Sequence, residues 1–435
     1  MSSSLLRRRT VPEFTRRRGT GPDPAAVAAV TPIVAAVRAE GEAAVRRYAE
    51  RFGEIAPAAP LFHDRAALAR ALAELPTDHR TRLERVAARI RTFADAQRAA
   101  LCPVSLPVPG GTAQQHITPV ERAGCYAPGG RYPLPSSVLM TALTARVAGV
   151  KEVWVASPKP QALSLAAAAL AGVDGVLAAG GAQAIAALAY GAGPVTPCDV
   201  IVGPGNRYVT AAKLLVAGSV AIDFPAGASE LTVFADTAAD PATVAADLLA
   251  QAEHDPDALP LLVTTDATLA GRVERELAAQ LVDLPTADVA RAALANGGVI
   301  RVASVEEGIA ACDAIAPEHL QLELADAEQI APRLAHYGAL FVGPGGAEVL
   351  GDYGAGPNHV LPTGGAARST GGLSVYSFLR VRTSLRIDDP AAARSLTEDA
   401  IWLGRAEGLE AHARAAERRL PRAARVSSGL EPSRE

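Results

Sequence analysis

The chain has 435 residues, of which 49% are hydrophobic, so it can bury a large core and is too long for one ordinary domain. Its formal net charge of -4 argues against a nucleic-acid-binding protein. No apolar run reaches membrane-spanning length, and four widely spaced cysteines suggest neither a zinc knuckle nor a disulfide framework. We therefore expect a cytoplasmic protein with several domains, reduced thiols and no nucleic-acid or membrane partner.

The N-terminal part of the chain is predicted to be largely helical. Residues 1–21 are basic, and we expect a solvated or subunit-contacting arm, because the rest of the chain carries no matching field. Apolar residues then recur at a helical period over residues 25–52 and 64–101. Residues 103–111 are predicted to be a loop, and residues 115–120 an extended edge strand.

From residue 150 onwards, predicted strands and helices alternate. One helix starts at Asp240-Pro241, where Asp suits the N-cap and Pro the first helical position. Such alternation predicts right-handed parallel α/β sheets. A last helical stretch covers residues 391–420, and the tail after Pro421 is predicted to be disordered. The strands are predicted at residues 150–156, 175–179, 199–202, 231–234, 261–264, 299–302 and 339–342.

Residues 315–320 read Ile-Ala-Pro-Glu-His-Leu and place a carboxylate, Glu318, beside an imidazole, His319. Pro317 disfavours helix at Ala316, so the pair follows a break in the chain. Adjacent acid and base groups suit a step that removes a proton at an alcohol carbon. Alone, the pair is more typical of a solvated loop.

Two further motifs offer metal ligands. Gln251 and His254 are three residues apart and share a helix face, so they could form half of a zinc site, although an exposed helix end would carry the same pair. Asp352 and His359 lie in a glycine-rich loop after the strand at 339–342, and α/β enzymes place their sites at the carboxyl ends of parallel strands. Asp352 could equally cap that turn.

The last helical stretch contains Glu407 and His412, which are five residues apart and do not share an ideal helix face. Either the chain bends near Gly408, or the pair reaches a site from the helix end, or the helix is simply solvated. Glycine turns at 127–130, 180–183 and 203–206 would let the backbone approach a pyrophosphate or ribose, although such turns occur in every α/β fold.

Together, these motifs resemble the histidinol dehydrogenase family, and they occur in the family's order across nearly the whole chain. The segments that carry the resemblance are residues 128–130, 135–140, 202–206, 225–230, 251–254, 316–320, 356–363 and 407–412. A series of this length is far more specific than any one of its members.

The resemblance implies a role for each matching residue. It implies one zinc per subunit, with the ligands Gln251, His254, Asp352 and His412. It implies Glu318 and His319 as the catalytic pair. It implies substrate contacts from Ser229, His359 and Glu407, besides the zinc ligands and His319. It implies NAD contacts from Tyr126, Gln183 and Asn206. It also implies a homodimer in which the C-terminal segment completes the partner's site.

The expected fold is α/β, with two Rossmann-like parallel-sheet domains and helical dimerisation segments at both ends. The expected divisions are an arm at 1–21, a larger domain with most of the zinc and catalytic site at 22–125 and 231–373, an NAD-contacting domain at 126–230, and a helical segment reaching the partner at 374–435.

The family reaction oxidises L-histidinol to L-histidine with two NAD through an aldehyde. His319 would take the hydroxyl proton, and Glu318 would activate water to hydrate the aldehyde. A thiohemiacetal on Cys125 or Cys312 is a disfavoured alternative route. The family's relatives oxidise other polar alcohols, including sulfonated propanediols, and replacements such as Ala228 for a frequent proline leave that alternative open.

Ser229 and Glu407 favour an amino alcohol, because a carboxylate attracts a cationic amine and repels a sulfonate. A non-catalytic metal- or nucleotide-binding protein would be expected to lack at least one ligand or acid–base position, and none is lost.

Overall fold

The structure, a computed structural model, describes residues 5–15, 23–129, 133–225 and 227–420. The chain divides into two compact units, one of residues 1–98 and 120–378 and the other of residues 99–119 and 379–435. The first unit contains a six-stranded and a five-stranded sheet, and the second contains a three-stranded sheet. In the described ranges, no helix has the length and apolar character needed to cross a bilayer.

The strands are β1 Phe62–Asp64, β2 Val104–Val108, β3 Gly111–Pro119, β4 Arg122–Tyr126, β5 Glu152–Ala156, β6 Gly175–Leu177, β7 Val200–Val202, β8 Ala221–Ile222, β9 Glu230–Ala235, β10 Leu259–Thr264, β11 Gly298–Arg301, β12 His319–Glu323, β13 Ala339–Val342 and β14 Leu379–Ile387. The helices are α1 Val11–Thr15, α2 Pro24–Glu40, α3 Glu42–Arg51, α4 Arg65–Ala73, α5 Thr77–Ala99, α6 Pro135–Val138, α7 Thr144–Ala148, α8 Ala162–Ala171, α9 Gly181–Tyr190, α10 Arg207–Val216, α11 Pro241–Ala252, α12 Leu269–Gln280, α13 Ala287–Leu294, α14 Val305–Ile315, α15 Ala327–Ile330, α16 Glu348–Asp352, α17 Arg394–Ala406 and α18 Glu410–Glu417. A π-helical turn, Leu139–Leu143, joins α6 to α7.

The predicted parallel α/β architecture is confirmed in the first unit. The six-stranded sheet has the order β1-β6-β5-β4-β7-β8, and β1 is its antiparallel member. The five-stranded sheet has the order β11-β10-β9-β12-β13 and is parallel throughout. In the six-stranded sheet the chain moves outward from β4 in one direction and then returns to place β7 on its other side. This reversal creates a crevice at the carboxyl ends of β4 and β7.

Small side chains allow close packing of helices on the six-stranded sheet. Residues 182–189 of α9 are buried, and most of them are alanine. The Ala and Val stripe of α2 and α3 joins the same core cluster. The segment 24–51, which the sequence assigned to the larger domain, therefore packs with the six-stranded sheet.

The Asp240-Pro241 start of α11 is confirmed. The Asp240 side chain accepts hydrogen bonds from the N–H groups of Ala242 at 3.3 Å and Thr243 at 3.2 Å. These bonds satisfy donors that an uncapped helix start leaves free.

The loop predicted at residues 103–111 is wrong, because β2 and β3 form a hairpin there. β3 is the central strand of the order β14-β3-β2, so its assignment as an edge strand is also wrong.

The C-terminal segment is not wholly helical, since β14 reads Leu-Arg-Val-Arg-Thr-Ser-Leu-Arg-Ile. That near-alternation of apolar and polar residues is a strand signal. The final helical stretch is split at Gly408, whose φ is 77°.

The described part of the N-terminal arm, residues 5–15, packs on its own chain, whereas the sequence predicted a solvated or subunit-contacting arm. The N–H of Arg9 donates to the carbonyl of Val299 at 2.9 Å, and the carbonyl of Arg7 accepts from the N–H of Val299 at 2.8 Å. Leu6 is buried beside this edge of the five-stranded sheet. Residues 16–22 lie outside the described residues. So does the tail after Pro421, which the sequence predicts to be disordered.

Packing of α14 on β9 yields a stability prediction. A Cβ atom on Gly308 would lie 2.0 Å from the Cζ atom of the fully buried Phe234 ring. We expect Gly308→Ala to lower the free energy of unfolding by about 1–3 kcal/mol, because an overpacked core must shift. Gly271→Ala is the control, since among the described residues no atom beyond the neighbouring backbone of α12 lies within 4 Å of the added Cβ. It should stabilise the protein by about 0.5–1 kcal/mol. Equal stabilities of the two variants in urea unfolding would contradict this.

Candidate active site

The acid–base pair follows the break that the sequence predicts. α14 ends at Ile315, and Ala316 adopts a left-handed conformation with φ 53° and ψ 61°. Such a conformation is uncommon for a residue with a side chain, and Pro317 prevents Ala316 from continuing the helix. Glu318 is 6% exposed and His319 is 3% exposed. The pair therefore lies in the protein interior and not in a solvated loop.

The backbone of Glu230 binds both members of the pair. Its N–H donates to Glu318 Oε2 at 2.8 Å, and its carbonyl accepts from His319 Nδ1 at 2.9 Å. Because a carbonyl can only accept, Nδ1 carries a proton and Nε2 has the lone pair of the neutral ring. The Nε2 atom is buried and has no hydrogen-bond partner in the part of the chain that the structure describes. It is therefore the atom placed to take a proton from a ligand.

The surroundings of the pair shift both pKa values. Burial raises the pKa of the Glu318 carboxyl to about 8. Burial opposes protonation of His319, but the carboxylates of Glu318 and Asp352 outweigh it and raise the pKa of the imidazole. Glu318 Oε2 lies 3.7 Å from His319 Nδ1, and Asp352 Oδ1 lies 3.7 Å from Nε2. The carboxyl can therefore exchange a proton near neutral pH, and the neutral form of the imidazole, with its lone pair on Nε2, is the form that can act as a base.

Side chains of the kind that bind metals converge next to His319. One ring nitrogen of His254 and one carboxylate oxygen each from Glu348 and Asp352 lie within 4.8 Å of one another. Gln251 Nε2 lies 3.3 Å from His254 Nδ1, and Gln251 Oε1 is buried with no partner among the described residues. Such oxygen and nitrogen donors suit zinc, so Gln251, His254 and Asp352 fit the metal that the resemblance implies.

Glu348 is the site residue that the sequence analysis missed. It is 2% exposed, and its Oε2 is buried with no partner in the described ranges. Burial raises its pKa to about 8. Glu348 begins α16 and Asp352 ends it, so Asp352 lies on a short helix and not in the predicted loop. Two acids four residues apart share a helix face, and that spacing was the available signal.

The cluster lies at the amino ends of the five-stranded sheet, so the expectation of a site at the carboxyl ends is wrong for Asp352. Glu318 directly precedes β12, and Ser229 directly precedes β9. The helices α11 and α16 start after the carboxyl ends of β9 and β13 and return across the sheet. Their last turns bring His254 and Asp352 to the amino edge.

His359 links this cluster to the helices of the six-stranded sheet. Its Nδ1–H donates to the carbonyl of Asp352 at 3.0 Å, and its Nε2 lies 3.4 Å from Ser137 Oγ. The neighbouring Asn358 donates to the carbonyl of Met140 at 2.7 Å, within the π-helical turn. π-helical turns recur at functional sites. Two motifs that are distant in the sequence are thus in contact.

Tyr126 and Gln183 lie at the carboxyl ends of the six-stranded sheet. The Tyr126 hydroxyl accepts from the N–H of Gly181 at 3.2 Å. Gln183 Nε2 donates to the Glu54 carboxylate at 2.9 Å, and Gln183 Oε1 is buried with no partner in the described ranges. Because a carboxylate only accepts, Glu54 fixes which way the Gln183 amide faces. The oxygen of the Gln183 amide remains available to accept a hydrogen bond.

The remaining predicted residues divide between the two units. Asn206 follows β7, beside the crevice, and Ser229 adjoins Glu230. Glu407 follows α17 and His412 lies in α18, both exposed, in the second unit. The predicted residues that the first unit brings together in one cluster are Gln251, His254, Glu318, His319, Asp352 and His359.

The two cysteines considered as nucleophiles are poorly suited to that role. Cys125 and Cys312 are buried, and burial raises the pKa of both thiols, that of Cys125 to about 12. Reactive cysteines instead have lowered pKa values and partial exposure.

A thiol titration tests this reading. We expect one of the four cysteines, the exposed Cys102, to react rapidly with a thiol reagent in the native protein, and all four after unfolding. Cys102→Ser should remove the rapid phase and leave turnover unchanged. A second rapid thiol whose modification stops turnover would restore the cysteine route.

Comparisons with known proteins give the family of the chain. A family model described as histidinol dehydrogenase matches residues 16–420. The histidinol dehydrogenase of Thermus thermophilus is 47% identical over 402 residues, which cover 92% of this chain and 95% of the relative. That of Dechloromonas aromatica is 46% identical over 89% of this chain and 91% of the relative.

A crystal structure of histidinol dehydrogenase from Elizabethkingia anophelis superimposes with a TM-score of 0.89 at 30% identity, covering 99% of this chain and 100% of that one. The matches extend over both sheets of the first unit and into the C-terminal helices, so they include every segment described above. The chain belongs to the histidinol dehydrogenase family.

Proposed function

We propose that this protein is an NAD-dependent dehydrogenase that oxidises L-histidinol to L-histidine, through the aldehyde, as the last steps of histidine biosynthesis. Family membership over residues 16–420 supports the reaction. The observation that carries the mechanism is the Glu318–His319 pair, held on the backbone of Glu230 beside metal-type donors. The match disfavours the alternative substrate, a sulfonated propanediol.

His319 acts as the base of the first oxidation. Its Nδ1–H is held by a carbonyl, so the Nε2 lone pair faces the ligand and takes the hydroxyl proton. NAD, when bound, accepts the hydride that leaves the same carbon. The alcohol thereby becomes an aldehyde, and one NADH and one proton are formed.

Glu318 serves the second oxidation. Its raised pKa suits a group that accepts a proton from water near neutral pH, and the water oxygen then adds to the aldehyde carbon. The hydrate carries a hydroxyl and a hydrogen on one carbon, so His319 can repeat its first role. With a second NAD bound, the same oxidation of the hydrate would give the carboxylic acid, which loses its proton to become the carboxylate.

Gln251, His254 and Asp352 would hold the zinc ion, with His412 as the fourth ligand from the partner subunit. Zinc, when bound, supplies an orienting template for the imidazole and amine of the substrate. Ser229, His359 and Glu407 would contact the substrate, and the carboxylate of Glu407 suits a cationic amine.

Tyr126, Gln183 and Asn206 would contact NAD. Tyr126 ends β4 and Asn206 comes after β7, the two strands at the reversal point, where α/β proteins bind nucleotides. Gln183 lies in α9, which follows β6. The buried Gln183 oxygen needs a donor such as a ribose hydroxyl or an amide N–H. Four free thiols support a reducing compartment, and we infer a cytoplasmic location.

The first test counts NADH released per molecule of L-histidinol by zinc-loaded protein. We expect about two, with L-histidine as the product, because the reaction removes four electrons. Glu318→Gln should slow histidine formation by about 10²–10⁴-fold, since it removes the group that activates water. Measuring both NADH and histidine at short times distinguishes the two oxidations, because the first forms NADH without histidine.

Glu323→Gln is the matched control for that variant. Glu323 is a buried glutamate on the same strand and bonds to Gln321, outside the cluster. Turnover by the Glu323→Gln variant should stay near the wild-type rate.

Removing zinc from the wild-type protein with a chelator should abolish turnover, and added zinc should restore it. Turnover of a sulfonated diol but not of histidinol, by protein that binds zinc and NAD, would overturn the assignment.

A mixing experiment tests the shared site. His412→Ala and Glu318→Gln should each be inactive, because each lacks one part of every site. If the site joins two subunits, an equal mixture allowed to exchange subunits should regain about a quarter of wild-type activity, through one intact site per mixed dimer. Each variant taken alone through the same exchange is the control. A mixture with no more activity than its components would exclude the shared site.

A further inference from the structure

A buried ion pair holds the loop that follows β7. Lys213 of α10 is 1% exposed, and its ammonium donates to Asp223, to the carbonyl of Gly203 at 3.0 Å and to the carbonyl of Phe224 at 3.3 Å. Asp223 accepts from the N–H of Gly203 at 2.8 Å and from the N–H of Phe224 at 2.8 Å. The three donors of the ammonium meet three acceptors, so this buried network is fully satisfied at the lysine.

The Lys213–Asp223 pair holds a tight turn at Gly203, over the end of β4. Both polar backbone groups of Gly203 are bonded to it, one to each charge. Gly203 has a φ of 120°, and a Cβ atom there would lie 2.0 Å from the carbonyl oxygen of Tyr126. The glycine is required by this close approach. The loop is thus fixed between the Tyr126 backbone and the ion pair.

The other end of the same loop is held by Asn206. Its Oδ1 accepts from the N–H of Tyr208 at 3.0 Å and of Val209 at 3.2 Å, which caps α10. With the oxygen committed to the cap, the amide nitrogen is the Asn206 side-chain group left to contact a cofactor. Lys213 lies two turns along the helix that Asn206 starts. One helix therefore carries both the cap and the cation that fix this loop.

Buried ion pairs are weak evidence for stability, because removing two charges from water costs about as much as their attraction returns. A pair of apolar residues could fill the same space. What apolar residues could not do is bind the N–H and the carbonyl of Gly203 at once. The observed bonds point to a role in fixing the shape of the loop.

We propose that Lys213 and Asp223 are positioning residues for NAD, holding residues 203–206 in the shape that places Asn206 beside Tyr126 at the sheet's reversal point. This inference rests on the proposed NAD contacts. Neither residue touches a reacting atom, so the pair acts through the loop. Its loss should weaken NAD binding and leave the zinc and acid–base cluster intact.

Asp223→Asn tests the proposal with little change of shape, since it leaves one acceptor oxygen where Asp223 uses two, for Gly203 and for Lys213 and Phe224, and replaces the other oxygen by an NH2 donor. NAD affinity is measured by calorimetry on zinc-loaded protein without histidinol, together with kcat, KM for NAD and zinc content. We expect NAD to bind about 10-fold more weakly or worse, with kcat at saturating NAD and zinc content near wild type. If Asp223→Asn does not fold, Lys213→Met/Asp223→Asn replaces it, because that double variant leaves no unpaired buried charge.

Asp174→Asn is the matched control. Asp174 accepts from Arg146 at 2.6 Å and from the N–H of Val153 at 2.7 Å, and it lies at the amino ends of strands in the same sheet. It should lose stability without losing NAD affinity. Wild-type NAD affinity in a folded variant at position 223, or equal losses of NAD affinity in both Asn variants, would overturn the proposal. Wild-type protein that binds no NAD would overturn the proposed function itself, and this inference with it.

Discussion

The chemistry of this protein depends on one residue's backbone. The backbone N–H of Glu230 donates to the Glu318 carboxylate, and the backbone carbonyl of Glu230 accepts from the His319 ring. The backbone of Glu230, and not its side chain, therefore orients the two groups. This is possible because β9 and β12 are parallel neighbours, with His319 opposite Leu231. Sheet register therefore fixes the tautomer of the base. A one-residue shift in the pairing of β9 with β12 would turn the side chains of the shifted strand to the opposite face of the sheet.

The two sheets use opposite edges. The predicted NAD contacts lie at the carboxyl ends of strands, with Tyr126 ending β4, Gln183 in the helix after β6 and Asn206 after β7. By contrast, Glu318 and Ser229 precede strands at their amino ends. The contacts from the π-helical region to the loop at 358–359 join these two edges within one compact unit. A hydride donor and its acceptor must meet within van der Waals distance, and under the proposed function each sheet would supply one of the two surfaces for that meeting.

Local chemistry made much of this predictable from the sequence. Asp240-Pro241 starts a helix and Pro317 ends one for reasons contained within a few residues. The location of Asp352 was not predictable in the same way, because it depends on how far α16 returns across the sheet. Burial of Glu348 was missed because an isolated glutamate reads as a solvated residue. The strand β14 was missed although its alternation is visible, because the polar composition around it favoured helix.

Some buried polar groups of this protein have all their partners within the chain, and others have none among the described residues. The ammonium of Lys213 has three acceptors, and a network completed in this way needs nothing from outside. Eight buried side-chain atoms have no protein partner in the described ranges, and four of them belong to candidate site residues: Gln183 Oε1, Gln251 Oε1, His319 Nε2 and Glu348 Oε2. Native interiors rarely leave such atoms unpaired, since each costs about 1–3 kcal/mol. Of the four in candidate site residues, three lie in or beside the metal-type cluster and the fourth lies at the carboxyl ends of the six-stranded sheet. The other four, which include Thr118 Oγ1 and Arg272 Nε, lie outside the site, so an unpaired atom alone does not mark a site. What distinguishes the metal-type cluster is that three such atoms converge there, where a ligand would complete their hydrogen bonding.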